Sequence, residues 1–205
     1  MKTIIYLIRH SIPIDNKINI NNSDNLHIEN EKTPLSVEGE EKAKELSLTE
    51  EMQNIDLVIS SNYVRAVSTA KYIAHQNKLD INIIEDFGER KFGVNKWDEK
   101  PKDFDKKQID DENYKLKNGE SRKETADRMY KALMNVLEKN KGKRIAIVSH
   151  ATAITYLFMK MFKSDGITIS YNGKKLMDKN FVWNAPEIFK LVYENDNLIS
   201  IENVR

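Results

Sequence analysis

The chain has 205 residues, of which 40% are hydrophobic and 32% charged, an ordinary balance for a globular domain. Lys and Arg total 33 against 32 Asp and Glu, so no overall field attracts nucleic acid or an anionic membrane, and an anion site has to be built locally. The absence of cysteine excludes disulfides, thiolate metal sites and a cysteine nucleophile. No apolar stretch approaches the roughly 20 residues of a membrane span. We therefore expect a cytoplasmic protein that binds neither membrane nor nucleic acid.

Short apolar runs alternate with amphipathic segments through the first part of the chain. The pattern predicts a strand over 3–8, a loop over 15–32, a helix after Ser36, a strand over 56–59, a helix over 62–76 and a strand over 81–84. The buried stripe predicted for the helix over 62–76 consists of Val64, Val67, Ala70, Ile73 and Ala74. Segment 88–119 has no clear period, which is typical of an extended loop or cap.

The second part of the chain continues the alternation. Ser121 and Glu124 form a capping box at the start of a helix over 121–138. A strand ending at His150, a helix over 151–162 and a hairpin of strands 188–193 and 198–201 follow. Strands alternating with helices predict a three-layer α/β sandwich, with a mainly parallel central sheet and helices on both faces. No linker divides the chain, so we expect one domain over 1–205.

Arginine and histidine side chains occur where three of the predicted strands end or lead into a helix. These side chains are Arg9, His10, Arg65 and His150. In parallel α/β sheets, ligands bind outside the carboxyl ends of the strands, so these groups are expected to converge. Four potential cations in one place would repel one another, and a bound anion removes that repulsion. The pattern therefore predicts a phosphate site.

Phosphoryl transfer through histidine is the chemistry that suits this set of side chains. A neutral imidazole attacks phosphorus, and arginine forks bind the phosphoryl oxygens in pairs. The leaving oxygen needs a proton from an acid, such as a carboxyl group with a raised pKa. Spacing alone leaves Glu85, Asp86 and Glu89 open for this role. Because there is neither a carboxylate cluster with metal-ligand spacing nor a P-loop pattern, we expect no metal and no cofactor.

Several short motifs occur in an order that is typical of one family. They are LIRHSIPIDN at 7–16, TPLSVEGEEKA at 33–43, SSNYVRAVSTA at 60–70, FGERKFG at 87–93, GES at 119–121, VSHAT at 148–152 and the pair Asn184-Ala185. This series resembles the histidine phosphatase superfamily, the phosphoglycerate mutase-like proteins. The resemblance extends from residue 3 to about residue 185.

The resemblance implies a role for each matched residue. His10 would accept the phosphoryl group, and Glu89 would protonate the leaving oxygen and then activate water. The phosphate-binding residues would be Arg9, Ser11, Asn16, Arg65 and His150. The substrate would be a small-molecule phosphate ester.

The sequence departs from the family pattern beside the first histidine. Ser11 stands where glycine is usual, Ile12-Pro13 replaces an acidic residue and a small one, and Ala151 follows the second histidine. These departures favour a metal-independent phosphatase over a phosphoglycerate-type mutase. A non-catalytic phosphoryl-binding module is the third hypothesis, and a homodimer is left open. Three aromatic residues of segment 88–119 are candidates to contact the leaving group, although packing is expected for at least two: Phe92, Trp97 and Phe104.

Overall fold

The computed structural model describes residues 1–14 and 25–204. Its strands are β1 (Lys2–Arg9), β2 (Leu57–Ser60), β3 (Ile81–Ile83), β4 (Arg144–Ser149), β5 (Lys163–Ser164), β6 (Ile169–Tyr171), β7 (Lys174–Met177), β8 (Glu187–Glu194) and β9 (Asn197–Asn203). Its α-helices are α1 (Leu26–Lys32), α2 (Val37–Ser47), α3 (Val64–Asn77), α4 (Phe104–Asp110), α5 (Arg122–Lys139) and α6 (Ala151–Met161). Among these residues, no helix is both long and apolar enough to cross a membrane.

A six-stranded sheet in the order β3-β2-β4-β1-β8-β9 forms the centre. The first four strands in this order pair in parallel, and β8 and β9 complete the sheet as an antiparallel hairpin. Helices α5 and α6 cover one face, while α2 and α3 cover the other. The predicted three-layer α/β sandwich with a mainly parallel sheet is confirmed.

Strand β1 is buried on both of its faces, which explains its run of apolar residues. Ile5 and Leu7 pack against α5 and α6, whereas Tyr6 and Ile8 pack in the layer that contains α3. Successive side chains of a strand alternate between faces, so a strand between two helical layers is apolar at every position. Each such aliphatic side chain contributes about 1.5–3 kcal/mol relative to full exposure. This burial fixes the position of the strand end that carries Arg9.

Side-chain caps determine where two of the predicted helices begin. The hydroxyl of Ser36 accepts the N–H of Gly39 before α2, and Ser121 exchanges hydrogen bonds with Glu124 before α5. Both predicted helix starts are confirmed.

The predicted loop over 15–32 is wrong for its last part, because residues 26–32 form α1. Asn25 caps this helix by accepting the N–H groups of His27 and Ile28. Asn is a strong N-cap residue, and this signal stood within the polar run. Residues 15–24 of the predicted loop lie outside the described residues.

The predicted buried stripe of α3 is also partly wrong. Val64 is 39% exposed, while Arg65, Ala66 and Thr69 are buried beside Ala70. The N-terminal part of α3 faces the strand ends as well as the apolar layer, so the polar Arg65 and Thr69 are buried there together with Ala66.

Segment 88–119 contains a 3₁₀ turn over 97–99 and the helix α4. Phe104 is fully buried and contacts Phe92, whereas Trp97 is 45% exposed. Arg90 holds α4 through the side-chain oxygen of Gln108 at 2.7 Å and an ion pair with Asp105. A second, three-stranded sheet of β5, β6 and β7 was not predicted, because its strands are only two to four residues long.

Candidate active site

The carboxyl ends of the parallel strands bring three of the predicted site residues together. His10 follows β1, and its backbone N–H donates to the carbonyl of Ser149 at 3.0 Å. His150 follows β4 at the N-cap position of α6, and its ring centroid lies 5.0 Å from that of His10. Arg65 comes from the first turn of α3 and contacts both rings. The predicted convergence of these side chains is therefore present in the fold.

Hydrogen bonds determine the tautomer of His10. Its Nδ1 lies 2.6 Å from the carbonyl of Ser11, and because a carbonyl only accepts, Nδ1 carries the proton. The Nε2 atom is then unprotonated, and its lone pair accepts a hydrogen bond from Nε of Arg65 at 3.0 Å. The nitrogen available for attack is thus held by a cation.

Arg65 joins the two imidazoles. Its Nη2 lies 3.3 Å from Nδ1 of His150, and since guanidinium only donates, this nitrogen of His150 is an acceptor. The proton of the neutral ring is then on Nε2, which is 2.8 Å from Oγ of Ser61. The Nη1 group of Arg65 donates to the backbone carbonyl of Asn30 in α1. Every partner of this guanidinium is therefore uncharged.

Both histidines are neutral at pH 7. Burial lowers the pKa of His10 well below its usual 6.5, and the charges of Arg65 and Arg9 lower it further against the opposing hydrogen bond to Ser11. Burial likewise lowers the pKa of His150 well below 6.5, with Arg65 as the second cause. A neutral His10 retains the lone pair that a nucleophile requires.

Arg9 connects the end of β1 to the C-terminal segment. Its Nη1 donates to the carbonyls of Trp183 and Asn184 at 2.8 and 2.9 Å. Its Nε is buried and has no hydrogen-bond partner among the described residues. Burial lowers the pKa of Arg9, and the carboxylates of Glu89 and Glu187 oppose this shift. In the sequence, the motif Asn184-Ala185 was the signal for this contact.

Of the three acidic residues that spacing left open, Glu89 lies beside the histidines. Its Oε1 accepts the N–H groups of Arg90 and Ala153 at 2.9 and 3.0 Å, and its Oε2 accepts that of Thr152 at 3.4 Å. The carboxylate therefore lies at the N-terminus of α6, directly after His150. Glu85 and Asp86 are exposed.

Ser11 occupies the glycine position of the family pattern without a positive φ, so this backbone conformation does not require glycine. Its N–H donates to Oγ1 of Thr69 at 3.0 Å, but its hydroxyl is fully buried and has no partner among the described residues. The next carbonyl, that of Ile12, accepts the N–H of Ser36 at 2.9 Å. A Cβ on Gly39 would lie 2.0 Å from this Ile12 oxygen, so only glycine allows the contact.

Asn16 lies outside the described residues, so its predicted position is not described. Within 1–14 and 25–204, no group of three or more His, Asp or Glu side chains is arranged to hold a metal ion. Four residues that were not predicted as site residues contact the site as well: Asn30, Ser61, Thr69 and Trp183. Asn30 and Trp183 contribute backbone carbonyls, which any residue type supplies, so they leave no trace in the sequence.

Fold and site together define a class, the mainly parallel α/β proteins with a histidine-arginine pocket at the carboxyl ends of the strands. Residues 5–170 match the family described as the histidine phosphatase superfamily (branch 1). The chain belongs to the histidine phosphatase superfamily.

Two of the relatives that the chain matches, each 28% identical to it, have different names. One is "Probable phosphoglycerate mutase GpmB" of Salmonella choleraesuis, matched over 138 residues, or 60% of each protein. The other is the adenosylcobalamin/alpha-ribazole phosphatase of Escherichia coli, matched over 167 residues, 77% of this chain and 78% of the relative. The match thus spans about three fifths of the Salmonella relative.

Solved structures have the same fold at lower sequence identity. A phosphoserine phosphatase of Entamoeba histolytica superposes with a TM-score of 0.72 at 21% identity, covering 97% of this chain and 96% of that one. A mycobacterial glucosyl-3-phosphoglycerate phosphatase superposes with a TM-score of 0.71 at 15% identity, covering 100% and 98%.

Proposed function

We propose that the chain is a phosphatase that hydrolyses small phosphomonoesters without a metal, through a phosphohistidine on Nε2 of His10. One observation carries the proposal. The lone pair of a buried, neutral His10 faces Arg65 in a pocket that also contains His150 and the Nε of Arg9, which has no hydrogen-bond partner among the described residues. Such a pocket offers a nucleophile together with donors for phosphoryl oxygens.

In the first step the phosphoryl group is transferred to the enzyme. A phosphoryl oxygen replaces His10 as the partner of Arg65 Nε, which frees the lone pair of Nε2. That lone pair attacks phosphorus, the bond from phosphorus to the ester oxygen breaks, and the ester oxygen takes a proton from the carboxyl group of Glu89. The products of this step are the alcohol and phosphorylated His10.

In the second step water releases the phosphate. Glu89 accepts a proton from water, the water oxygen bonds to phosphorus, and the bond from Nε2 to phosphorus breaks with its electron pair returning to the imidazole. We propose Arg9, Arg65 and His150 as the residues that bind the phosphoryl oxygens. Ser11 and Asn16 are proposed as additional phosphate-binding residues.

We further propose that the chain is one domain in which segment 88–119 is a cap over this pocket. Trp97 of this cap, 45% exposed and in edge contact with Phe92, is the proposed contact for a leaving group, whereas Phe104 is fully buried. This arrangement fits an organic phosphate ester.

The second candidate function is a phosphoglycerate-type mutase, which the name of the Salmonella relative favours. A mutase transfers the phosphoryl group between hydroxyls, whereas a phosphatase transfers it to water. A coupled mutase assay on phosphoglycerate, run beside an assay for released inorganic phosphate, separates the two.

The experiment measures turnover of p-nitrophenyl phosphate in the presence of EDTA by the wild type, His10→Ala and His75→Ala. His75 is an exposed histidine of α3 and serves as the matched control. We expect activity and an acid-labile, base-stable phosphoprotein in the wild type and in His75→Ala, and neither in His10→Ala. Equal turnover by wild type and His10→Ala would refute the proposal.

A further inference from the structure

Arg128 of α5 holds the loop that carries Glu89. Its Nη1 donates to the carbonyls of Asp86 and Gly88 at 2.7 and 3.0 Å, and its Nη2 donates to the carbonyl of Glu89 at 3.2 Å. A single guanidinium thus binds three carbonyls within four residues. Few side chains other than arginine present donors over so wide an arc.

Glu120 completes this contact from the other side of the loop. Nε and Nη2 of Arg128 donate to its two carboxylate oxygens at 2.7 and 2.8 Å, a bidentate pair. The same carboxylate accepts the N–H of Lys91 at 3.0 Å, and the N–H of Glu120 donates to the carbonyl of Lys91 at 2.9 Å. The ion pair therefore binds the backbone both before and after Glu89.

The charges of this pair are maintained although both side chains are largely buried. Burial alone would raise the pKa of the Glu120 carboxyl, but the hydrogen bonds and charge of Arg128 bring it below its usual value. Burial alone would lower the pKa of Arg128. The hydrogen bonds and charge of Glu120 more than offset the effect of burial, so the pKa of Arg128 is raised. A bidentate pair of this kind is directional, because both partners have fixed planar geometry.

The Glu89 carboxylate is thereby held between two helices. Its backbone is tied to α5 through Arg128, and its side chain accepts N–H groups at the start of α6. We infer that Arg128 and Glu120 are positioning residues for proton transfer, which hold the Glu89 carboxyl group within reach of the leaving oxygen. The inference rests on the proposed acid role of Glu89.

The dependence of the rate on the leaving group separates positioning from general structural support. The kcat/KM of a phosphatase covers the steps up to phosphoryl transfer to His10, and a strongly basic alkoxide needs the proton far more than p-nitrophenolate does. The experiment measures kcat/KM for a series from p-nitrophenyl phosphate to alkyl phosphates. The variants are Glu89→Gln, Arg128→Lys, Glu120→Gln and Arg122→Lys.

Glu89→Gln sets the scale, with an expected loss of about 100-fold or more on alkyl phosphates and a much smaller loss on p-nitrophenyl phosphate. Arg128→Lys and Glu120→Gln should show the same selective loss, about 10-fold or more on alkyl phosphates, because a small displacement of an acid slows proton transfer steeply. Arg122, also on α5, donates to the carbonyl of Gln108 at 2.9 Å and serves as the control. Arg122→Lys should resemble the wild type over the whole series.

Each outcome has a separate meaning. An equal loss on all substrates in Arg128→Lys and Glu120→Gln, or no loss in either, overturns the positioning role. Neither result contradicts the acid role of Glu89, provided that Glu89→Gln loses more activity on alkyl phosphates than on p-nitrophenyl phosphate. A Glu89→Gln variant without leaving-group dependence overturns that assignment itself. In the double variant Arg128→Lys/Glu89→Gln we expect no loss beyond that of Glu89→Gln, and fully multiplicative losses would contradict the inference.

Discussion

Two arginines, Arg65 and Arg90, are buried to almost the same extent but have very different partners. Arg65 is 5% exposed and Arg90 is 6% exposed. Arg90 pairs with the carboxylate of Asp105 and donates to Gln108 and Tyr156 at 2.7 Å. No carboxylate of the described residues forms an ion pair with Arg65.

The partners of Arg65 are two neutral imidazoles, one backbone carbonyl and the face of the Tyr63 ring. A buried guanidinium is costly unless an anion compensates its charge. Arg90 meets this condition within the chain and thereby stabilises the packing of α4. Among the described residues, Arg65 has only the charge of Glu89 to compensate it, without an ion pair, and this fits the proposal that an anion binds there. The contrast identifies Arg90 as a structural arginine and supports the proposal that Arg65 binds a ligand.

The largest expected effect comes from exchanging Arg65 for a neutral side chain of similar length. We expect Arg65→Met to lower kcat/KM on p-nitrophenyl phosphate by about 100- to 1000-fold, since one lost oxyanion donor costs roughly 2.7–4 kcal/mol. The free energy of unfolding should change little or rise, because the change removes a buried charge that forms no ion pair with a carboxylate of the described residues. Kinetics and urea unfolding of the same preparation measure both quantities.

Arg90→Met is the matched control, and its effects should be reversed. It leaves Gln108 and Tyr156 without their charged donor, so the free energy of unfolding should fall by about 2 kcal/mol. Asp105 is half-exposed and stays solvated when Arg90 is removed, so its loss of a partner adds less to this cost than the two buried hydrogen bonds do. If Arg90→Met lowers kcat/KM as much as Arg65→Met does, the two arginines do not differ as described.

Anion binding should compensate the buried charge of Arg65 directly. At a phosphate or vanadate concentration of about 100 times Kd, we expect the wild type to gain about 2.7 kcal/mol of unfolding free energy. Arg65→Met should gain far less, whereas Arg90→Met should gain as much as the wild type. Thermal unfolding over a series of anion concentrations measures this, and equal gains in all three proteins would exclude Arg65 from the anion site.

The same contrast shows what the sequence does and does not predict. Arg9, His10, Arg65 and His150 were predicted as one site because parallel strands place their carboxyl ends at one edge of a sheet. The periodicity of apolar residues also predicted α5 and the central strands.

The positions that were not predicted depend on contacts between distant segments. Only the fold shows that Asp105 reaches Arg90, whereas no carboxylate of residues 1–14 and 25–204 forms an ion pair with Arg65. Helix α1 was missed because its seven residues contain few apolar positions and depend on the Asn25 cap. The contact of Arg128 with the Glu89 loop joins residues 39 to 42 positions apart, which no local pattern encodes.

A smaller effect should appear in the pH dependence of stability. The folded protein lowers the pKa of His10 and His150, so below pH 6.5 the unfolded chain binds protons that the folded protein does not. Stability should therefore fall as the pH falls from 6.5, by about 1.4 kcal/mol per pH unit for each histidine until its folded pKa is reached. Above pH 6.5 both states are neutral at these positions and the contribution is constant.

His150→Gln tests this slope. The free energy of unfolding of the variant, measured in urea at several pH values between 5 and 8, should depend on pH less steeply than that of the wild type by about 1.4 kcal/mol per unit. Above pH 6.5 the slopes of the variant and the wild type should be equal. Parallel curves across the acid range would mean that His150 takes up a proton as readily in the folded protein as in the unfolded chain.

The smallest expected effect concerns Ser11, whose buried hydroxyl, like the Arg65 charge, lacks a matching partner among the described residues. Removing an unsatisfied hydroxyl in Ser11→Ala should raise the free energy of unfolding by up to about 1 kcal/mol. Ser47→Ala is the control, since the buried Ser47 hydroxyl donates to the carbonyl of Lys44 at 2.7 Å and its loss should lower stability by about as much.

Ser11→Ala also tests the proposed contact with phosphate. If the hydroxyl donates to a phosphoryl oxygen, the variant should be more stable without ligand, and inorganic phosphate should inhibit it more weakly than the wild type. A stability gain with unchanged inhibition would remove Ser11 from the phosphate-binding residues. It would also show that a buried polar group without a partner marks a ligand site only where, as at Arg65, it carries a charge that the fold leaves unmatched.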